Sequence, residues 1–169
     1  PYDKAAAEAN VAAKRAAEGK LLCGCPGTYS RELKREAAEV SAPRESAAAS
    51  RLSQWPVEVK LAPVRAPYFD GAKRGVAADC TAFARADFHE RFIKGRVTLV
   101  GCPKLDGVDY AEKLTEIIRN NDIKDVTVVR MEVPCCGGIE DAVKRALMAS
   151  GKFLPWQVVT VAVDGEILD

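Results

Sequence analysis

Six cysteines stand beside a single histidine, His89, in this chain of 169 residues. Thiolates bind zinc, copper(I) or iron–sulfur clusters, exchange as disulfides, or act as nucleophiles. Their spacing therefore decides which chemistry is open. Cys23 and Cys25 lie two apart in Leu21-Leu22-Cys23-Gly24-Cys25-Pro26-Gly27. Cys80 follows Ala77-Ala78-Asp79, Cys102 stands between Gly101 and Pro103, and adjacent Cys135 and Cys136 precede Gly137-Gly138. An even count raises a disulfide framework, but such proteins are small, secreted and poor in regular core. Buried inert thiols would explain one or two scattered cysteines, whereas most of these fall in turn sequences. Structural zinc favours two close pairs such as Cys-x2-Cys, and none occurs here.

Widely spaced single cysteines suit an iron–sulfur cluster held within a fold, of the 4Fe–4S type. One zinc ion is the alternative, and a thiol or disulfide redox site without metal is the third reading. The cluster ligands expected are Cys80, Cys102, Cys136 or Cys135, and one of Cys25 or Cys23. For zinc they would be Cys80, Cys102, Cys136 and His89. Otherwise His89 is a packing or capping residue beside a hydrophobic helix face. Asp79, Lys104 and Asp106 would lie near the same thiols, although loop charges are usually just solvated.

The elements that must position these residues follow from periodicity. Residues 96–100 and 125–133 read as β-branched strands and 158–163 as a last strand, while 75–78 is a short apolar run and 57–61 alternates. Helical spacing marks 87–94, 110–120 and 139–150, the last ended by Gly151. Strand followed by helix, repeated, predicts an α/β, Rossmann-like, doubly wound and mostly parallel sheet over residues 55–169. Cys80, Cys102 and the Cys135-Cys136 pair each come just after a strand, so parallel strands would carry all of them to one edge, where ligands bind. Gly137-Gly138 opens a helix whose N–H groups and positive dipole end would favour thiolates there. Neighbouring positions at a strand end point apart, so Cys135 and Cys136 would not easily serve one small ion together.

Residues 1–54 read differently: an Ala-rich helical arm with helices at 2–18 and 31–40, the Cys23–Cys25 turn, and a low-complexity link at 41–50. So polar an arm cannot form a core of its own, and its Cys-Gly-Cys turn is expected to close over the rim. Trp55, Tyr68 and Phe69 are expected in the core or its lid. The chain opens on Pro1 rather than Met, the expectation for a processed or truncated protein.

Composition removes several function classes. Twenty-five Lys and Arg against 24 Asp and Glu give a net charge of +1, without the basic excess of a nucleic-acid binder. No apolar run approaches a membrane span and no signal peptide opens the chain, so a cytoplasmic protein is expected. Neither Gly-x-Gly-x-x-Gly nor Gly-Lys-Ser/Thr occurs, which argues against nucleotide binding. Near-neutral charge leaves docking to a redox partner to local patches.

Two resemblances add to this reading. The stretches 23–27, Gln54-Trp55-Pro56-Val57, Ala66-Pro67-Tyr68-Phe69, 77–83, Gly101-Cys102-Pro103-Lys104-Leu105-Asp106 and 133–138 resemble the C-terminal domain of an anaerobe iron–sulfur protein family. There the domain follows an N-terminal ferredoxin module with two 4Fe–4S clusters. The resemblance implies electron transfer with a ferredoxin module or another redox protein as partner, and a possible oxidoreductase role. The ferredoxin Cys runs are absent here, in keeping with a chain cut after that module. More narrowly, Val100-Gly101-Cys102 with Cys136-Gly137-Gly138-Ile139 is similar to the zinc pattern of β-class carbonic anhydrases. Val133 and Lys104 stand at that pattern's histidine and acidic positions, so what the similarity implies is a metal held at a sheet edge.

Overall fold

The computed structural model describes residues 49–168. The expected helices at 2–18 and 31–40, the Cys23–Cys25 turn and most of the 41–50 link lie outside them. Four strands run parallel: β1 (Ala72–Ala78), β2 (Arg96–Gly101), β3 (Ile123–Met131) and β4 (Trp156–Val161). A short β5 (Ile167–Leu168) closes one edge antiparallel to β4. The order across the sheet is β2-β1-β3-β4-β5, with Ala78 beside Gly101 and Ala77 beside Val129 where the central strands end. β1 and β3 occupy the middle, and their runs of small and β-branched residues match burial on both faces.

The crossovers fill both faces. α1 (Asp79–Ala84) and a π-helical turn (His89–Ile93) join β1 to β2, α2 (Tyr110–Asn120) joins β2 to β3, and α3 (Gly137–Ser150) joins β3 to β4. Leu114, Ile117 and Ile118 of α2 and Ile139, Val143 and Ala146 of α3 pack on Val76, Leu99, Val126 and Val128. Phe88, Phe92 and Ile93 cover Ala77, Val129, Met131 and Val161 on the other face. Helices on both sides of a mostly parallel sheet are the doubly wound arrangement read from the sequence.

Local chemistry sets the helix ends. The Asp109 carboxylate accepts from Ala111 N at 3.0 Å and caps α2. Arg145 on α3 grips the same carboxylate at 2.6 and 2.8 Å, tying the two helices together. Gly151 ends α3 in the left-handed region, φ 72°.

One expected strand is not formed. Residues 57–61 give only an isolated parallel bridge from Glu58 to Val100. The chain turns at once, with Leu61 and Ala62 N both donating to the Glu58 carbonyl. No helix among the described residues is long and apolar enough to cross a membrane.

A rim of thiols as candidate metal centre

β1 sends its chain one way, to β2, whereas β3 sends its chain the other way, to β4. Adjacent strands whose connections diverge leave a crevice at their carboxyl ends, the usual ligand position in such sheets. Cys80 lies on the β1 side of that crevice and Cys135 and Cys136 on the β3 side, in a single 3-10 turn (Pro134–Cys136) that leads into α3. Cys102 follows β2 directly, one strand over from Cys80. Three separate βα junctions thus carry four thiols to one rim. All four are free: Cys80 exposed, Cys102 and Cys135 half-buried, Cys136 buried.

Their mutual influence registers the proximity. Burial first, then Cys102, Asp79 and Cys135, hold the Cys80 thiol above its ordinary range. Cys136 is pushed up to about 11, first by burial, while a Met131 backbone hydrogen bond pulls it down and Cys135 and Cys80 push it up. Cys135 thus acts on Cys136 from the adjacent position in the same turn. Thiolates at Cys80 and Cys136 therefore form against burial and their neighbours, and a cation placed among them would relieve both.

Glycines allow the close packing behind this rim. A Cβ on Gly138 would sit 3.1 Å from the Pro103 side chain, so the β3–α3 turn and the Cys102 loop are in near contact. A Cβ on Gly101 would run into the Tyr110 ring. The first turn of α3 has no side-chain cap, and its Gly137 N–H donates back to the Pro134 carbonyl.

Carboxylates complete the rim. Tyr110 OH donates to Asp106 in a short hydrogen bond, and burial followed by that bond keeps the phenol protonated. Burial and then Asp106 raise Asp79. Burial, then Asp79 and Asp106, raise Glu58, while Lys60 lowers it. The sequence placed Asp79 and Asp106 near the thiols, and the structure does too. It missed Glu58 and Tyr110. Glu58 reaches the rim through its bridge to Val100, two residues before Cys102, and Tyr110 through the helix start that follows the Cys102 loop.

His89 is not among the groups that influence Cys80 or Cys136. It is exposed, and its Nδ1 accepts from Arg51 N at 3.1 Å, on a stretch already heading to the amino edge where Arg96 opens β2. Cys23 and Cys25 lie outside the described residues. Phe69 is in the core and Tyr68 packs against it, but Trp55 is exposed. Among the described residues, no three His, Cys, Asp or Glu side chains are drawn into the sphere of a single metal ion.

Fold and rim together define a doubly wound α/β domain with free thiols at its switch point. The chain belongs to the Rossmann-like domain family, whose profile matches residues 66–169. It is also similar to an uncharacterized protein of Archaeoglobus fulgidus, 34% identical over 117 residues that span 69% of this chain and 82% of the relative. No solved structure matches the chain.

Proposed function

We propose that the rim holds an iron–sulfur cluster and that the domain is a cytoplasmic electron-transfer module. The observation that carries this is the arrival of Cys80, Cys102, Cys135 and Cys136 at one switch point from three independent βα junctions. The donor set suits a cluster. Tetrahedral zinc needs its sulfurs each about 2.3 Å from one point, and the thiols are not gathered so tightly. A four-iron cube takes one thiolate on each of its four irons, so its ligands stand further apart than those of a single ion. Soft thiolates without a histidine among them are a donor set that such clusters accept. Four free thiols at one edge also accord with a reducing compartment.

The cluster would supply one-electron chemistry. The chain's own residues hold and tune it: Cys80, Cys102, Cys135 and Cys136 as the candidate ligands, and the uncapped α3 N–H groups as donors toward sulfur. Tyr110 fixes Asp106 beside the Cys102 loop. A ferredoxin module or another redox protein would be the partner.

Anaerobic purification with iron and sulfide analysis tests this. A broad band near ~400 nm with iron and sulfide in equal amounts is expected, and Cys102→Ser should lose it. Colourless protein with stoichiometric zinc would instead establish the single-ion reading, for which Cys80, Cys102 and Cys136 supply the thiolates. Metal-free protein after reconstitution would overturn both.

A further inference from the structure

The rim carries exposed hydrophobic side chains that its fold does not use. Phe83 is 92% exposed and Leu105 80% exposed, and Val108 is also open to solvent. Phe83 stands three residues after Cys80 on α1, so the two share one helix face. Leu105 stands three residues after Cys102, in the turn whose Leu105 and Asp106 N–H groups donate to the Cys102 carbonyl. Two large apolar side chains thus flank two of the four thiols, each one turn away. A scattered exposed apolar residue is ordinary, but a group of them around a candidate site marks a contact surface.

Charge says what kind of surface would fit. Asp79 and Asp106 lie close enough to act on Glu58, and Asp106 on Asp79, while Lys60 beside Glu58 and Lys104 in the Cys102 loop are the nearby cations. Three carboxylates against these two ammonium groups leave the rim an acidic excess of one, although the chain as a whole carries +1. Desolvated apolar anchors with a charged surround are the anatomy of a transient interface, in which the charges set the encounter rate and the choice of partner.

We propose that this rim is the docking face for an electron-transfer protein with a basic-rimmed contact surface, with Phe83 and Leu105 as apolar anchors and Glu58, Asp79 and Asp106 as the charge match. The inference rests on the cluster reading for its purpose, and it ranks redox partners, ferredoxin modules included, by the charge of their contact face: a lysine-ringed face binds more tightly than an acidic one.

The test uses the full chain, with mitochondrial-type cytochrome c as the cationic probe and an acidic ferredoxin as the counter-probe, and reads binding by calorimetry or interferometry. Iron loading is measured on the same preparations. The expected result is saturable binding of the cytochrome that weakens steeply between low and moderate salt. The Phe83→Ser/Leu105→Ser double variant should load iron like the parent and bind about tenfold more weakly. Glu58→Gln should weaken binding less, and mainly at low salt. Equal binding by the double variant, or preference for the acidic ferredoxin, overturns the proposal. Binding that persists in a chain that takes up no iron would separate the docking face from the cluster, overturning only the latter.

Discussion

Arg74 offers a direct measure of what a buried charge does to this fold. It lies on β1 with no exposed surface, and Nε, Nη1 and Nη2 have no hydrogen-bond partner. Burial lowers its pKa from the ordinary arginine range to about 10, a penalty of about 3 kcal/mol on the charged form. The Phe69 ring, whose centre is 4.2 Å from Cζ, returns about 2 kcal/mol of cation–π attraction at a desolvated site. Arg74→Met keeps most of the aliphatic stem, removes the unpaired charge and gives up the ring contact. Stability should rise by about 1–2 kcal/mol, within the range known for replacing buried charges by apolar side chains. The midpoint should rise by roughly 3–8 °C for a domain of this size. Urea titration and calorimetry of the metal-free, reduced protein read this directly. The pH dependence has a definite sign. With the folded value below the unfolded one, the unfolded chain binds more protons above pH ~10, so the parent gains stability there and the advantage of Arg74→Met shrinks. A loss of more than about 1 kcal/mol in Arg74→Met would falsify the reasoning, because it would mean that the guanidinium is paired in the folded protein.

Other expectations follow from the same contacts. Gly101→Ala should destabilise by about 1–3 kcal/mol through overpacking against Tyr110, seen as a lowered urea midpoint; an unchanged midpoint would show that the ring moves freely. Glu58→Gln should be more stable than the parent at pH 7 and equal to it near pH 4, because a carboxyl raised in the folded state supports the fold below its unfolded value and loses that support as pH rises through the folded one. Paired urea titrations at the two pH values check it, and parallel curves would refute it. Arg145→Ala frees the Asp109 cap from α3 and should lower the thermal midpoint by a few degrees at low salt and less at high salt, as exposed pairs do.

The sheet was legible because its inner strands are buried on both faces and read as continuous apolar runs. The 110–120 helix matches residue for residue, and β2 runs one residue further than read. β3 starts at Ile123, two residues before the expected start, and β4 at Trp156, since the polar Lys124 and Gln157 separate those first residues from the β-branched runs that were read. β5 went unseen because two residues cannot show a period. The 57–61 segment shows the opposite failure: Val57, Val59 and Leu61 alternate as a strand would, but Ala62 bonds back to Glu58 and ends the pairing after one bridge.

The rim separates what spacing can say from what it cannot. That Cys80, Cys102 and Cys135-Cys136 share an edge needs only parallel strands, and the sequence supplies those. That Cys80 and Cys135 face each other across the switch point needs the order β2-β1-β3, which no local pattern contains. The same order brings Glu58 to the rim, since it pairs with β2 at Val100 from the far side of the sheet, and with it the mutual repulsion among Glu58, Asp79 and Asp106. Gathering carboxylates and thiols at one edge does not add stability, because burial and neighbouring acids disfavour the ionised forms of Glu58, Asp79, Cys80 and Cys136. Both the cluster and the basic partner proposed for this rim would relieve that repulsion.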